Sequence, residues 1–229
     1  MRLASLFSGG KDSLFAIHKA KSAGHQVDCL ITLFPNSNES HLLHHPNLVW
    51  TKLQSESMKI PQLTSHLKSD DVDEETSRII DLLKIAKTNY KIDGIVHGGI
   101  SSNFQKQKFE NICSELDLIP FGPLWGSFPN EYMNNLLDSK FTFIITSVTS
   151  DGLDEKWLGI PVTKSNLNDL KKSSVKFGFN LNFEGGEAET FVIDCPLFSR
   201  PIKINKNKKF WDGYRGRFEI VDAELNSDA

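Results

Sequence analysis

Leu3-Ala4-Ser5-Leu6-Phe7-Ser8-Gly9-Gly10-Lys11-Asp12-Ser13-Leu14-Phe15-Ala16-Ile17 decides the fold of this chain. Residues 2–7 are extended and mostly apolar, as a buried strand requires. After the glycines, Leu14, Ala16, Ile17, Ala20 and Ala23 recur at helical spacings, and Gly24 supplies a C-terminal stop. Residues 27–34 read as a second strand. Strand, loop, helix, strand is the unit from which parallel sheets covered by helices are built. The predicted fold class is therefore α/β, an open parallel sheet with helices on both faces.

The rest of the chain extends the pattern. Residues 73–89 carry apolar side chains at 79, 80, 82, 83 and 86 with acids in the first turn, which predicts a helix. Ile95-Val96 reads as a short buried strand, and Ser101 or Ser102 caps a helix whose Phe109, Ile112, Cys113 and Leu116 share one face. Residues 118–124 return to the sheet. Beyond Trp125 the character changes: strands are expected over 141–148, 190–194 and 217–221, with a helix over 167–177. A soft boundary near residue 126 gives a larger domain at 1–125 and a smaller C-terminal α+β domain at 126–229. No internal repeat or low-complexity segment interrupts either half.

Composition removes several function classes. Hydrophobic residues at 39%, charged residues at 24% and a mean hydropathy of -0.30 describe an ordinary globular chain, neither disordered nor fibrous. The longest apolar stretch, 141–148, falls far short of the roughly 20 residues that span a bilayer. Met1 runs directly into a strand and leaves no room for a signal peptide, so the cytoplasm is the expected compartment. A net charge of -3 argues against sequence-blind nucleic-acid binding, which relies on many Lys and Arg contacts to phosphates. Cys29, Cys113 and Cys195 are odd in number and lack ligand spacing, so neither a disulfide framework nor a structural zinc site is indicated.

The loop itself carries chemistry. A glycine turn between strand and helix lets backbone N–H groups converge on an anion, and the helix dipole adds positive potential there. Gly9 and Gly10 supply the turn, Lys11 offsets phosphate charge, Ser8 and Ser13 donate hydroxyls, and Asp12 holds a magnesium ion or its water. A capped helix after a glycine turn explains the glycines but not a lysine, an aspartate and two serines crowding one helix start. The loop lacks the GxxxxGK spacing of the common P-loop. SGGKDS after a terminal strand resembles the loop of the N-type ATP pyrophosphatases. The resemblance implies a Rossmann-like, adenine nucleotide alpha hydrolase-like domain that cleaves ATP between its α- and β-phosphates.

Three further segments narrow the family: His45-Pro46-Asn47; Gly98-Gly99-Ile100-Ser101-Ser102 leading through Gln105 to Pro123-Leu124-Trp125; and Glu184-Gly185-Gly186-Glu187-Ala188-Glu189-Thr190. Together with the loop they resemble the diphthine-ammonia ligases, in order from residue 3 to about residue 199. Two positions depart from that family's pattern, with Gly99 where an Asp is usual and Ala188 where a Tyr is common. The resemblance implies an ATP-binding domain at 1–125 and a substrate-recognition domain at 126–229. It also implies Lys11, Asp12, Glu187 and Glu189 as catalytic residues and Asp12 as the magnesium ligand. The remaining substrate contacts it implies are His45, Asn47, Gly98, Gly99, Ser101, Gln105, Trp125, Glu184, Gly185, Gly186 and Thr190.

The implied reaction is amidation of the diphthine carboxylate on translation elongation factor 2, using ATP, Mg2+ and ammonium and releasing AMP and pyrophosphate. No membrane or direct nucleic-acid partner is expected, and a homodimer is admitted. Plainer readings stand beside these. His41, His44 and His45 also fit a solvated loop cluster; Trp125 fits a core position; Gly185-Gly186 fits a plain turn with solvated glutamates; the lysines at 203, 206, 208 and 209 fit a soluble face. Two rival functions remain open at this level: another ATP pyrophosphatase acting on tRNA, and a nucleotide sensor without turnover. The first lacks paired cysteines and a basic surface here, and the second has no evident need for Glu187 and Glu189.

Overall fold

The computed structural model describes residues 1–35, 46–69 and 71–226. Two compact units are present: Met1–Ser8 with Asp12–Trp125, and Gly9–Lys11 with Gly126–Ala229.

The first unit alternates strand and helix: β1 (Arg2–Leu6), α1 (Lys11–Ser22), β2 (Gln26–Phe34), α2 (Thr51–Met58), β3 (Gln62–His66), α3 (Val72–Tyr90), β4 (Gly94–Val96), α4 (Asn103–Glu115) and β5 (Ile119–Phe121). The strands form one sheet in the order β3-β2-β1-β4-β5, and every neighbouring pair is parallel. The expected open parallel sheet flanked by helices is therefore present. α3 starts where the Asp71 carboxylate accepts the Asp73 N–H at 3.1 Å, with Asp73, Glu74 and Glu75 in its first turn favouring the dipole. Its Ile79, Leu82, Leu83 and Ala86 join Ala4, Cys29, Ile31 and Ile95 in one buried cluster. Each large side chain buried there contributes about 1.5–3 kcal/mol, more than the ~1 kcal/mol of a single cap. The apolar face, rather than the cap, fixes where α3 lies.

Strand order reverses between β1 and β4. In open α/β sheets that switch point opens a crevice at the carboxyl ends of the strands, where ligands bind. The turn after β1 carries Ser8-Gly9-Gly10, and the turn after β4 carries His97-Gly98-Gly99.

The second unit contains α5 (Pro129–Asp138), β6 (Thr142–Val148), β7 (Pro161–Val162), α6 (Lys164–Phe177), β8 (Ala188–Asp194), β9 (Ile202–Trp211) and β10 (Gly216–Leu225). Its sheet runs β7-β6-β10-β9, with β8 also on β6, and all of these pairings are antiparallel. The smaller α+β domain expected from sequence is thus an antiparallel sheet with two helices. The lysine-rich segment is β9, an edge strand in hairpin register with β10, whose Glu219, Asp222 and Glu224 stand opposite Lys208, Lys206 and Lys203. Lysines along an exposed edge oppose pairing with another chain.

Candidate functional site

In the first unit, the exit of β1 is fixed by buried polar bonds. The Phe7 N–H donates to the Ile31 carbonyl at 2.8 Å, and the Thr32 hydroxyl donates to the Phe7 carbonyl at 2.8 Å. Gln62 Nε2 donates in turn to Thr32 Oγ1 and Thr51 Oγ1, each at 2.8 Å. Ser8 Oγ lies 3.4 Å from Ser13 Oγ across the turn. The backbone of α1's first turn then meets Gly98. A Cβ on Gly98 would stand 2.6 Å from the Asp12 carbonyl carbon and 2.8 Å from the Ser13 nitrogen, so only glycine fits. Gly98 thereby acts through close approach of backbone to backbone, beyond the ligand-contact role expected for it.

His97, at the end of β4, escaped notice in the sequence. Its ring is 5% exposed, lies 4.8 Å from the Phe109 ring, and accepts the Gly99 N–H at Nδ1 over 3.2 Å, which leaves the neutral ring's proton on Nε2. A Cβ on Gly122 would come within 2.8 Å of this ring, and one on Gly99 within 3.1 Å of Nδ1. The two glycines make room for the imidazole. Gly99 therefore stands with a histidine ring against it.

Burial pushes His97 down from the ordinary 6.5 to about 4. Above pH 6.5 both folded and unfolded chains carry a neutral ring, whereas between pH 6.5 and 4 only the unfolded chain gains the proton, so stability falls with falling pH. The expected loss is roughly 2–3 kcal/mol by pH 4, flattening below it. Urea unfolding of wild type and His97→Asn across pH 7.5 to 4 measures it as the difference between the two slopes, and parallel slopes would contradict it.

In the second unit, the loop residues Gly9–Lys11 lie against β8. The Lys11 N–H donates to Thr190 Oγ1 at 3.1 Å, and the Val192 N–H donates to the Gly9 carbonyl at 3.1 Å. Gly9 holds φ at 78°, a conformation that favours glycine. The Lys11 side chain is 2% exposed, and its Nζ stands 5.5 Å from the Tyr132 ring centroid and 5.4 Å from that of Phe183.

The two glutamates of the acidic segment separate. Glu187 accepts the Asn180 N–H at Oε1 and the Gly185 N–H at Oε2, both at 2.8 Å, so its carboxylate clamps its own turn. Gly186, with φ 81°, closes that turn by donating to the Phe183 carbonyl at 3.2 Å, and the Thr149 hydroxyl donates to the Gly186 carbonyl at 2.7 Å. Glu189 lies on β8 one residue before Thr190 and is half-buried, as Thr190 is, at a point where the pairing of β8 with β6 is irregular. Glu184 is half-buried beside the exposed Gly185.

The other sequence candidates sit in the first unit. Asn47 is buried in the short 3-10 turn before α2, while Ser101 and Gln105 are exposed. Ser102, not Ser101, caps α4, accepting the Gln105 N–H at 3.3 Å. The Trp125 ring is half-buried, and Lys106 Nζ stands over it at 4.7 Å. His45, with His41 and His44, lies outside the described residues. Burial pushes the Cys29 and Cys195 thiols up to about 12 and Cys113 to about 11, so none is a thiolate at neutral pH.

Among the described residues no group of three or more His, Cys, Asp or Glu could hold a metal ion. A single half-buried Asp12 suits magnesium, which keeps several waters and binds through one or two carboxylates plus substrate phosphates.

The chain matches the diphthamide synthase N-terminal domain over residues 1–120 and the diphthamide synthase C-terminal domain over residues 128–225. It is 32% identical over 226 residues to a diphthine-ammonia ligase of Bos taurus, covering 91% of this chain and 84% of the relative. The Homo sapiens protein of that name is 31% identical over 228 residues, with the same two coverages of 91% and 84%. That of Danio rerio is 31% identical over 222 residues, covering 90% of this chain and 87% of the relative.

Proposed function

We propose that this chain, which belongs to the diphthamide synthase family and is an ATP-dependent ligase, amidates the diphthine carboxylate of elongation factor 2 with ammonium. The observation that carries this reading is the meeting of two motifs 179 residues apart, with the Lys11 amide bonded to Thr190. A nucleotide sensor needs the first motif alone.

A carboxylate is a poor electrophile, because its charge repels nucleophiles and oxide is a very poor leaving group. In the proposed reaction a carboxylate oxygen attacks the α-phosphorus of ATP, and the bond to the bridging oxygen breaks to release pyrophosphate. Ammonium gives up a proton, the ammonia lone pair attacks the acyl carbon, and AMP leaves. Ser8, Gly9, Gly10 and Ser13 bind the phosphates, the Lys11 ammonium faces the charge that grows on pyrophosphate, and Asp12 meets the magnesium that ATP brings. These groups act by preorganised electrostatics, so no protein nucleophile is required, in keeping with three thiols held protonated.

Glu189 is assigned to the substrate end, away from ATP, because a carboxylate near bound phosphates raises the energy of the complex unless a cation lies between. Incoming ammonium and the substrate's trimethylammonium are such cations. Glu187 serves by holding the turn that carries Glu184, Gly185 and Gly186. Asn47, Gly98, Gly99, Ser101, Gln105 and Trp125 stay on the substrate side of the proposal. Binding of a quaternary ammonium on Trp125 requires Lys106 to leave that ring. A cytoplasmic location belongs to the same proposal; no helix among the described residues is long and apolar enough to cross a membrane.

The test is incubation with diphthine-bearing elongation factor 2, ATP and a nitrogen source, followed by mass analysis of the modified histidine and by AMP measurement. Ammonium is expected to support amide and AMP formation, and ammonia-free glutamine is not, since no cysteine is placed as a glutaminase nucleophile. Equal rates with glutamine would overturn the nitrogen assignment, and absence of AMP with ammonium would overturn the ligase reading in favour of a sensor.

A further inference from the structure

We propose that Tyr132 and Phe183 are positioning residues that hold the Lys11 ammonium where it meets the phosphates of ATP, a proposal that rests on the ATP-dependent reading above. Two independent elements deliver rings to the same cation. Tyr132 comes from α5 and is 1% exposed; Phe183 comes from the turn before β8 and is buried as well. Both centroids lie within the ~6 Å at which a cation is attracted to a ring face. Four rotatable bonds otherwise give a lysine a wide range of positions. A ring face holds a cation with no formal charge of its own, so it does not compete with phosphate for the ammonium.

The backbone under Phe183 supports this role. Its φ is 62°, left-handed for a residue with a bulky side chain, and such a conformation persists only where the surroundings over-determine it. The surroundings here are the clamp already described, with Glu187 gripping the Asn180 and Gly185 amides and Gly186 bonded back to the Phe183 carbonyl. A glycine would take this φ without strain. The ring is kept at a position that disfavours it, stacked at 6.4 Å on the Phe179 ring and 5.4 Å from the Lys11 ammonium. Glu187 therefore reaches the phosphate loop through Phe183.

Left-handed φ makes the test clean. Phe183→Gly removes the ring while suiting the backbone, and Phe183→Tyr keeps the ring; circular dichroism checks that both variants fold. The expected result for Phe183→Gly is a rise of about tenfold in the KM for ATP, the scale of a desolvated cation–π contact, with the KM for the protein substrate unchanged and with recovery in Phe183→Tyr. Tyr132→Leu and Tyr132→Phe should behave in the same way. A second readout needs no nucleotide: acetylation of Lys11 by acetic anhydride, followed by peptide mass mapping, should be several-fold faster in Phe183→Gly than in wild type. Wild-type KM for ATP or wild-type Lys11 reactivity in Phe183→Gly overturns the proposal, as does an equal defect in Phe183→Tyr. If wild type itself forms no AMP, the ATP-dependent reading fails, and this proposal with it.

Discussion

Lys11→Met is expected to lower ATP turnover by roughly 10- to 100-fold while leaving the fold intact. The variant deletes the proposed charge-assisted contact to phosphate, of about 1.5–3 kcal/mol, and each 1.4 kcal/mol is a factor of ten. Methionine keeps most of the buried stem and sits between the Tyr132 and Phe183 rings as a flexible apolar filler. Lys11→Ala should lose the same activity and also stability, because a side chain that is 2% exposed leaves a cavity when truncated. AMP formation with saturating ammonium, read beside the melting temperature, separates the two effects. Wild-type turnover in Lys11→Met would remove the loop from the ATP site.

The parts of this fold that were legible in the sequence are those where one local signal suffices. β1, α1 and β2 follow from an apolar run, a glycine turn and a helical period, and α4 from Ser102 ahead of Phe109, Ile112, Cys113 and Leu116. Elements that depend on partners were not legible. β3 is a polar strand at the sheet edge, only half covered, so it shows no alternation of apolar and polar residues. α2 buries Thr51, Gln54 and Ser57, polar residues that a hydrophobic period does not count. β9 is held in register by β10 despite its lysines, because an edge strand needs apolar residues on little of its length.

The candidate site divides along the same line. SGGKDS and EGGEAET are contiguous and carry their chemistry in residue type. Which glutamate does what is not carried there, because Glu187 and Glu189 differ only in what lies around them, one gripping two amides of its own turn and the other placed on a strand face. Aromatic faces for Lys11 come from distant segments, and neither Tyr132 nor Phe183 has a local signal. His97 had one, a histidine directly before two glycines at a strand end, but its burial depends on Gly122, a whole helix later.

Gly98→Ala should lower activity strongly, because the added methyl group meets the backbone of α1's first turn. The new Cβ would lie 2.6 Å from the Asp12 carbonyl carbon, 2.8 Å from its oxygen and 2.8 Å from the Ser13 nitrogen. Carbon atoms rest at about 3.5–4.0 Å, so roughly 1 Å of separation must be found. No side chain can rotate to provide it, since all three obstacles are backbone. The first turn of α1 has to shift, taking Asp12 and Ser13 away from the positions in which they are proposed to face phosphate and magnesium. A misplacement of about 1 Å at a reacting centre costs on the order of 100-fold, so AMP formation is expected to fall by about that factor, with stability lowered by about 1–3 kcal/mol for the overpacking. Gly99→Ala is the control one residue away: its Cβ would meet His97 Nδ1 at 3.1 Å, a ring that can yield by a few tenths of an ångström, and its activity should fall by no more than a few fold. Equal activities for Gly98→Ala and Gly99→Ala would mean that the position of α1's first turn does not govern the reaction, and that phosphate is held elsewhere.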